Sequence, residues 1–455
     1  MRSRLFIVAA VACVLMLGAC GCERPNPVDP KVDPTPNPHD TTVVEPEDMI
    51  WHARPYFNIT LENTEPDSAA MPIKIRITSD MKQLIVEMDD TVKVAGNSKR
   101  NYAVTTTEDM APGFYRALCL VNGKTVRNQP FGIDPFDIVS APDMQPDFNQ
   151  FWQTAKDQLA AVEMNPTLTE IEKNSSAKRK VYLVEFYSVP DGLTGEPVKI
   201  RGYYCEPTDG AKHPVLLHFF GYDTQGSKSK CECPMGGSSN YAEFYVSHRG
   251  QYLNNRPAGT NPGVDEETVN IYGDWFAYNF GDKDGYYYRG AFMDVVQAVR
   301  FMATRETSDM EHIFAEGSSQ GGALCYAAAA LSDYPFKAIT SNVAFLGDFP
   351  DYFKIVDWPG STAKSEAKKK GMTDEEMYTF LSYFDTKNLA TRISCAVLAT
   401  SGLKDGTCPP HTNIAPFNNL KTPEADKEYH FYPDMTHDYP KNWYSMIADF
   451  WKKYQ

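Results

Sequence analysis

The pentapeptide Gly317-Ser318-Ser319-Gln320-Gly321 carries the most legible chemistry in the chain, because glycine stands at both second neighbours of a serine. The apolar residues 312–316 before it predict a strand, and the alanine-rich residues 323–331 after it predict a helix. A strand that turns at once into a helix crowds its own backbone. The positions two before and two after the apex therefore need glycine, while the apex side chain is pushed into the open. Ser319 is that apex. The same bend aims the N–H of Gln320 and the positive end of the helix at the space before the hydroxyl, where an acyl oxyanion could develop.

A serine hydroxyl is a weak nucleophile at neutral pH. It needs an imidazole to take its proton and a carboxylate to orient that imidazole. On a strand–elbow–helix scaffold the chain order is serine, acid, histidine. Asp405 follows the predicted strand 396–400 through Ser401-Gly402-Leu403-Lys404, on a loop at a strand end, where the acid belongs. Of the nine histidines, His39 and His52 lie in or near an N-terminal linker, His213, His218, His248 and His312 precede the serine, and His430 falls within a predicted strand. His437 follows the last predicted strand, 429–432, and precedes a terminal helix with Trp443, Met446, Ile447, Phe450 and Trp451, so it is the expected base. His411, close behind Asp405, reads as a neighbour of the site. A second oxyanion donor is expected after the strand 214–219, at the N–H of Tyr222. Arg249 has two readings, substrate orientation or a structural ion pair. Tyr286-Tyr287-Tyr288 reads as packing beneath the rim of the site.

Residues from about 140 to 455 resemble the acetyl xylan esterases and cephalosporin C deacetylases of carbohydrate esterase family seven. The resemblance rests on Arg249-Gly250-Gln251, on Gly317-Ser318-Ser319-Gln320-Gly321-Gly322, and on His437-Asp438 where the family ends in His-Glu. Supporting stretches are Tyr286-Tyr287-Tyr288-Arg289-Gly290, Ser382-Tyr383-Phe384-Asp385, and Gly402-Leu403-Lys404-Asp405 leading to Cys408-Pro409-Pro410. It implies an α/β-hydrolase fold with Ser319, Asp405 and His437 as the triad, Tyr222 and Gln320 as oxyanion donors, and Arg249 and Gln251 as substrate-binding or site-supporting residues. It further implies removal of acetyl groups from short acetylated xylo-oligosaccharides, no cofactor, and homo-oligomers. The chain departs from the pattern at Phe220-Gly221, in place of His-Gly, and at Asp438. It departs again at Tyr252-Leu253-Asn254-Asn255, where the family is glycine-rich, and this last change bears on the acyl or sugar pocket. Two alternatives are a peptidase of the prolyl oligopeptidase type and a non-catalytic surface glycan-binding lipoprotein. The first shares the elbow but carries a β-propeller, which a stretch of about 85 residues cannot supply.

These residues have to be positioned by a larger frame. Extended runs at 181–189, 198–204, 214–219, 244–246, 337–341, 396–400 and 429–432 alternate with helices, one carrying Phe148, Phe151, Trp152, Ala155 and Leu159 on one face and another Phe292, Val295, Val296, Val299 and Met302. That order specifies a mostly parallel sheet covered on both faces, with catalytic residues in the loops after strand ends. Before it, alternation at 73–78, 102–106 and 115–121, the last followed by the hairpin signal Asn122-Gly123, predicts a small all-β sandwich. The sandwich reads as a spacer in preference to a carbohydrate-binding or docking module, since no aromatic row stands out.

Four segments are expected: a lipoprotein signal peptide at 1–19, a Pro-rich linker at 20–48, the β-sandwich at 49–135 and the α/β-hydrolase domain at 136–455. Arg2 and Arg4 precede an apolar stretch, 5–17, too short to span a bilayer, and Leu17-Gly18-Ala19-Cys20 resembles a lipobox. Cleavage before Cys20 with diacylglycerol on its thiol would anchor an exported protein, in the outer membrane, with the linker holding it off the surface. A formal charge of −15 without a basic run argues against nucleic acid as a partner. Export permits some of the ten cysteines to pair, and no Cys/His spacing matches a zinc site, so no metal is expected from sequence.

Overall fold

The structure, a computed structural model, describes residues 44–225, 229–235, 240–253 and 270–455. Cys20, the apolar signal stretch, most of the Pro-rich linker, and Asn254 and Asn255 lie outside the described residues.

The first strands are β1 (Ile50–Trp51), β2 (Tyr56–Asn63), β3 (Ala69–Ser79), β4 (Leu84–Val94), β5 (Ser98–Thr105), β6 (Gly113–Val121) and β7 (Lys124–Ile133). They form a five-stranded sheet in the order β1-β7-β6-β3-β4 and a two-stranded sheet of β2 and β5. Alternation along β3 turns Met71, Ile73, Ile75 and Ile77 inward, where they meet Trp51, Phe57, Leu61, Val104 and Phe131 in a core of their own. Asn122 and Gly123 both take positive φ, 49° and 73°, which is the two-residue hairpin turn that Asn-Gly favours, and it joins β6 to β7.

The second sheet has nine strands: β8 (Thr167–Glu170), β9 (Arg179–Ser188), β10 (Val198–Pro207), β11 (His213–Phe219), β12 (Ala242–Ser247), β13 (Ser308–Ser318), β14 (Ala338–Asn342), β15 (Ala396–Gly402) and β16 (Lys427–Tyr432). Their order is β16-β15-β14-β13-β11-β12-β10-β9-β8. The run from β16 to β12 is parallel, and the edge from β10 to β8 is antiparallel. Helices α1 (Phe148–Ala160), α2 (Tyr287–Ala303) and α3 (Gln320–Leu331) pack with the sheet in the main core. Four helices come between β14 and β15: α4 (Phe349–Ile355), α5 (Gly360–Lys370), α6 (Asp374–Ser382) and α7 (Thr386–Ala390). Then come α8 (Pro410–Asn418) and the C-terminal α9 (Trp443–Trp451), whose Trp443, Ile447, Phe450 and Trp451 cover Leu216, Phe314 and Leu398 of the sheet. This is an α/β-hydrolase architecture with a mostly parallel sheet and a β-rich region before it.

The β-rich region is docked on the α/β region, a closer relation than a spacer requires. Phe114 of β6 is buried in the main core, 5.9 Å from the Phe431 ring and 6.5 Å from His411. Between the two regions runs a cleft of about 380 Å³, walled on one side by Ser79, Asp80, Tyr115 and Arg116 and on the other by Leu403, Asp405, Gly406 and Pro409.

Candidate active site

Ser319 stands between the last residue of β13 and the first of α3, at φ 58° and ψ −122°, a backbone conformation an L-residue adopts only under constraint. The constraint is visible at its glycines. A Cβ on Gly317 would stand 2.4 Å from the Gly321 carbonyl oxygen, and one on Gly321 would stand 2.3 Å from that of Phe219. Only two glycines let the strand, the helix and the end of β11 close around the serine. The bend is further held by Ser319 N donating to Asn342 O and Phe345 N donating to Ser319 O.

Asp405 lies in the loop after β15, and its carboxylate is fully buried. Oδ1 accepts from the backbone N–H groups of Thr407 (2.8 Å) and Cys408 (2.9 Å), and Oδ2 faces His437 Nδ1 at 2.8 Å. With Nδ1–H given to the carboxylate, Nε2 of this partly exposed ring is the nitrogen free to take a proton. The acid and histidine loops are laced together. Leu403 N donates to Tyr432 O and Lys404 N to Met435 O, and a Cβ on Gly402 would meet the Met435 carbonyl at 2.3 Å.

One buried side chain ties all three segments. Asn342, at the end of β14, donates through Nδ2 to Ser318 Oγ (2.8 Å) and to the Asp438 carbonyl (3.0 Å), and its Oδ1 accepts from Thr400 Oγ1 (2.6 Å). The serine, acid and histidine are thus brought to one end of the parallel sheet. The Ser319 hydroxyl lies within hydrogen-bonding reach of the Cys408 thiol. Burial drives the Cys408 thiol well above its ordinary pKa, so it stays protonated beside the serine.

Gln320 is the first residue of α3, so its N–H has no intrahelical acceptor. Its side chain is locked beneath the site: Oε1 accepts from Tyr288 OH at 2.8 Å, and Nε2 stands 2.9 Å from His248 Nε2. Burial lowers the His248 pKa to about 4, which keeps the ring neutral and able to accept from that amide. Tyr222 follows Gly221 beyond the end of β11, and its hydroxyl donates to Asp274 Oδ1 at 2.6 Å while its ring packs edge-on against Trp275 and Trp358. Arg249 forms a structural ion pair. It is buried, it grips Asp294 through Nε and Nη2 at 2.8 Å each, and its N–H bonds the same carboxylate. Gln251 is also buried and donates to Ser229 O at 2.5 Å. Tyr286, Tyr287 and Tyr288 are buried, with Tyr287 OH donating to Arg249 O. His411 points its ring nitrogens at Asp80 and Asp351 and so is engaged away from the serine.

Sequence reasoning passed over Asp274, Asp294 and Asn342, and gave His248 and Cys408 no role of their own. His248 adjoins Arg249-Gly250-Gln251 and Cys408 adjoins the prolines after the acid, so position held a signal for those two. Nothing local marks Asp294 in the middle of α2.

The profile of the acetyl xylan esterase (AXE1) family matches residues 139–454. The chain is 26% identical over 326 residues to acetyl esterase Axe7A of Xylanibacter ruminicola, an alignment that covers 69% of each chain. Among solved structures it is similar to the acetyl xylan esterase from Paenibacillus sp. R4, with 26% identity, a TM-score of 0.56, and coverage of 70% of this chain and 98% of that one. The fold is shared as well with acetyl xylan esterase 1 from Thermoanaerobacterium sp. JW/SL YS485, at 23% identity, a TM-score of 0.56, and coverage of 70% and 96%.

Proposed function

This chain belongs to the acetyl xylan esterase family and is a carboxylic-ester hydrolase, and from that premise we propose that it removes acetyl groups from O-acetylated xylo-oligosaccharides through an acetyl-Ser319 intermediate. The observation that carries the reading is the Asp405–His437 pair at 2.8 Å beside a serine held at positive φ between strand and helix. In the first step His437 Nε2 takes the proton as Ser319 Oγ attacks the acetyl carbonyl, and the oxyanion is met by the N–H groups of Gln320 and Tyr222. The imidazolium then protonates the departing sugar oxygen. In the second step the neutral ring takes a proton from water as the water oxygen attacks the acetyl carbon. It then gives that proton to Ser319 Oγ as the acyl–serine bond breaks, so that acetic acid leaves, ionises to acetate, and the free hydroxyl is restored. Asp405 holds the ring in one tautomer throughout. The mechanism requires the serine hydroxyl to turn from the Cys408 thiol to Nε2 as substrate enters, and catalytic hydrogen bonds commonly tighten only in the complex.

Ser319→Ala is expected to lower kcat on an acetylated xylo-oligosaccharide by on the order of 10⁶. Acetate followed by NMR is the measurement, and release at the wild-type rate would remove Ser319 from the mechanism. In the same reading Cys20 carries the lipid that anchors the exported enzyme to the outer membrane. Homo-oligomers belong to the reading through the family resemblance alone.

A further inference from the structure

Outside the catalytic cluster, one group of side chains has the composition and spacing of a cation site. Asp348, immediately before α4, Asp351 within α4 and His411 at the start of α8 bring two carboxylate oxygens and an imidazole nitrogen within 4.8 Å of one another. Within this group Asp348 Oδ2 and His411 Nε2 are buried and make no hydrogen bond, the latter only facing Asp351 Oδ2 at 3.4 Å, and both residues are more than nine-tenths buried. A buried polar atom left without a partner costs stability, so two within one cluster of donors ask for a ligand.

The spacing of His411 and Asp351 suits a small divalent ion. Two donors each about 2.0–2.1 Å from a tetrahedral zinc stand about 3.3 Å apart. His411 Nε2 and Asp351 Oδ2 are 3.4 Å apart, too long for a good hydrogen bond and right for two ligands of one ion. The remaining atoms of each donor are already held. Asp348 Oδ1 accepts from Lys387 Nζ at 2.9 Å, Asp351 Oδ1 from Lys354 Nζ at 2.8 Å, and His411 Nδ1 faces Asp80 Oδ2 at 2.9 Å. A carboxylate on the second nitrogen of a histidine is the usual outer support of a metal-bound imidazole.

We propose that Asp348, Asp351 and His411 bind one divalent transition-metal ion of the zinc type, with Asp80 of the β-rich region orienting the histidine and water completing the coordination. The nitrogen donor favours such an ion over calcium or magnesium, which take oxygen ligands. The ion takes the Nε2 lone pair in place of the proton on that nitrogen, which is released to solvent. Its role is positioning. It joins α4, the β-rich region and the start of α8, only a few residues after Asp405, and it touches no atom of the reacting ester.

The test is calorimetric titration of the tag-free, chelator-stripped full chain with zinc chloride at about pH 8, with metal analysis of the product. Wild type takes up one zinc per chain, Asp351→Asn and His411→Gln abolish stoichiometric uptake, and Asp80→Asn weakens it by about ten- to a hundredfold. Circular dichroism verifies that each variant is folded, and Asp351, on the exposed side of the cluster, is the substitution best tolerated. Ser319→Ala binds zinc as wild type does, so the result is independent of the esterase reading. No stoichiometric uptake by wild type, or unchanged uptake by Asp351→Asn and His411→Gln, overturns the proposal.

Discussion

Asp405 exposes none of its side chain, and its carboxylate accepts from two backbone N–H groups as well as facing His437. Those backbone donors cannot turn away, so an amide placed there keeps its oxygen toward Thr407 and Cys408 and presents NH₂ to the imidazole. The ring is then forced to put its lone pair on Nδ1 and its proton on Nε2, the wrong tautomer for a base. Asp405→Asn is therefore expected to lower kcat by about 10⁴ with KM little changed, measured on p-nitrophenyl acetate. Residue types at this scale were legible in sequence where the chemistry has a fixed order, as for Ser319, Asp405 and His437. Arg249 was not. Whether an arginine meets substrate or a buried carboxylate depends on what α2 brings opposite it, and that is Asp294.

Strand order decides a second property. β12, β11 and β13 lie side by side, which places His218 between Glu316, 2.8 Å from Nδ1, and Glu243, 3.7 Å from Nε2, with the Tyr245 ring stacked on it at 4.0 Å. Burial alone would lower its pKa, yet the two carboxylates carry it up to about 9. An unfolded histidine titrates near about 6.5, so the folded protein binds this proton more tightly. The stabilisation is complete below about pH 6.5 and is lost as pH rises through about 9. Urea midpoints of wild type and His218→Gln between about pH 6 and 10 are expected to converge at the alkaline end, and a gap constant across that range would refute the coupling. At the element scale, alternation and the strand–elbow–helix succession were legible because buried strands are apolar runs. The edge strand β4 was passed over because most of it is solvent-exposed, and α4 and α7 because short helices leave short patterns.

At the scale of the whole molecule, the β-rich region inserts Phe114 into the core of the α/β region and lends Asp80 to His411. Phe114→Ala leaves a cavity there and is expected to cost about 3–5 kcal/mol, read as a lower denaturation midpoint with earlier proteolysis between the two regions. A merely tethered spacer would show no such loss. The docking also puts one wall of the 380 Å³ cleft beside the acid loop, so the region shapes the ground next to Asp405.

The sequence by itself determined the local chemistry: a serine between obligatory glycines, an acid after one strand, a histidine after the next, and the alternation that specifies the parallel sheet. Each of these is set by backbone sterics and side-chain periodicity within a few residues. Only the tertiary structure decided which distant groups meet: Asn342 lacing three loops together, Asp294 claiming Arg249, Asp80 reaching His411. Those pairings depend on how strands order themselves and how one region docks on another, and no spacing along the chain encodes them.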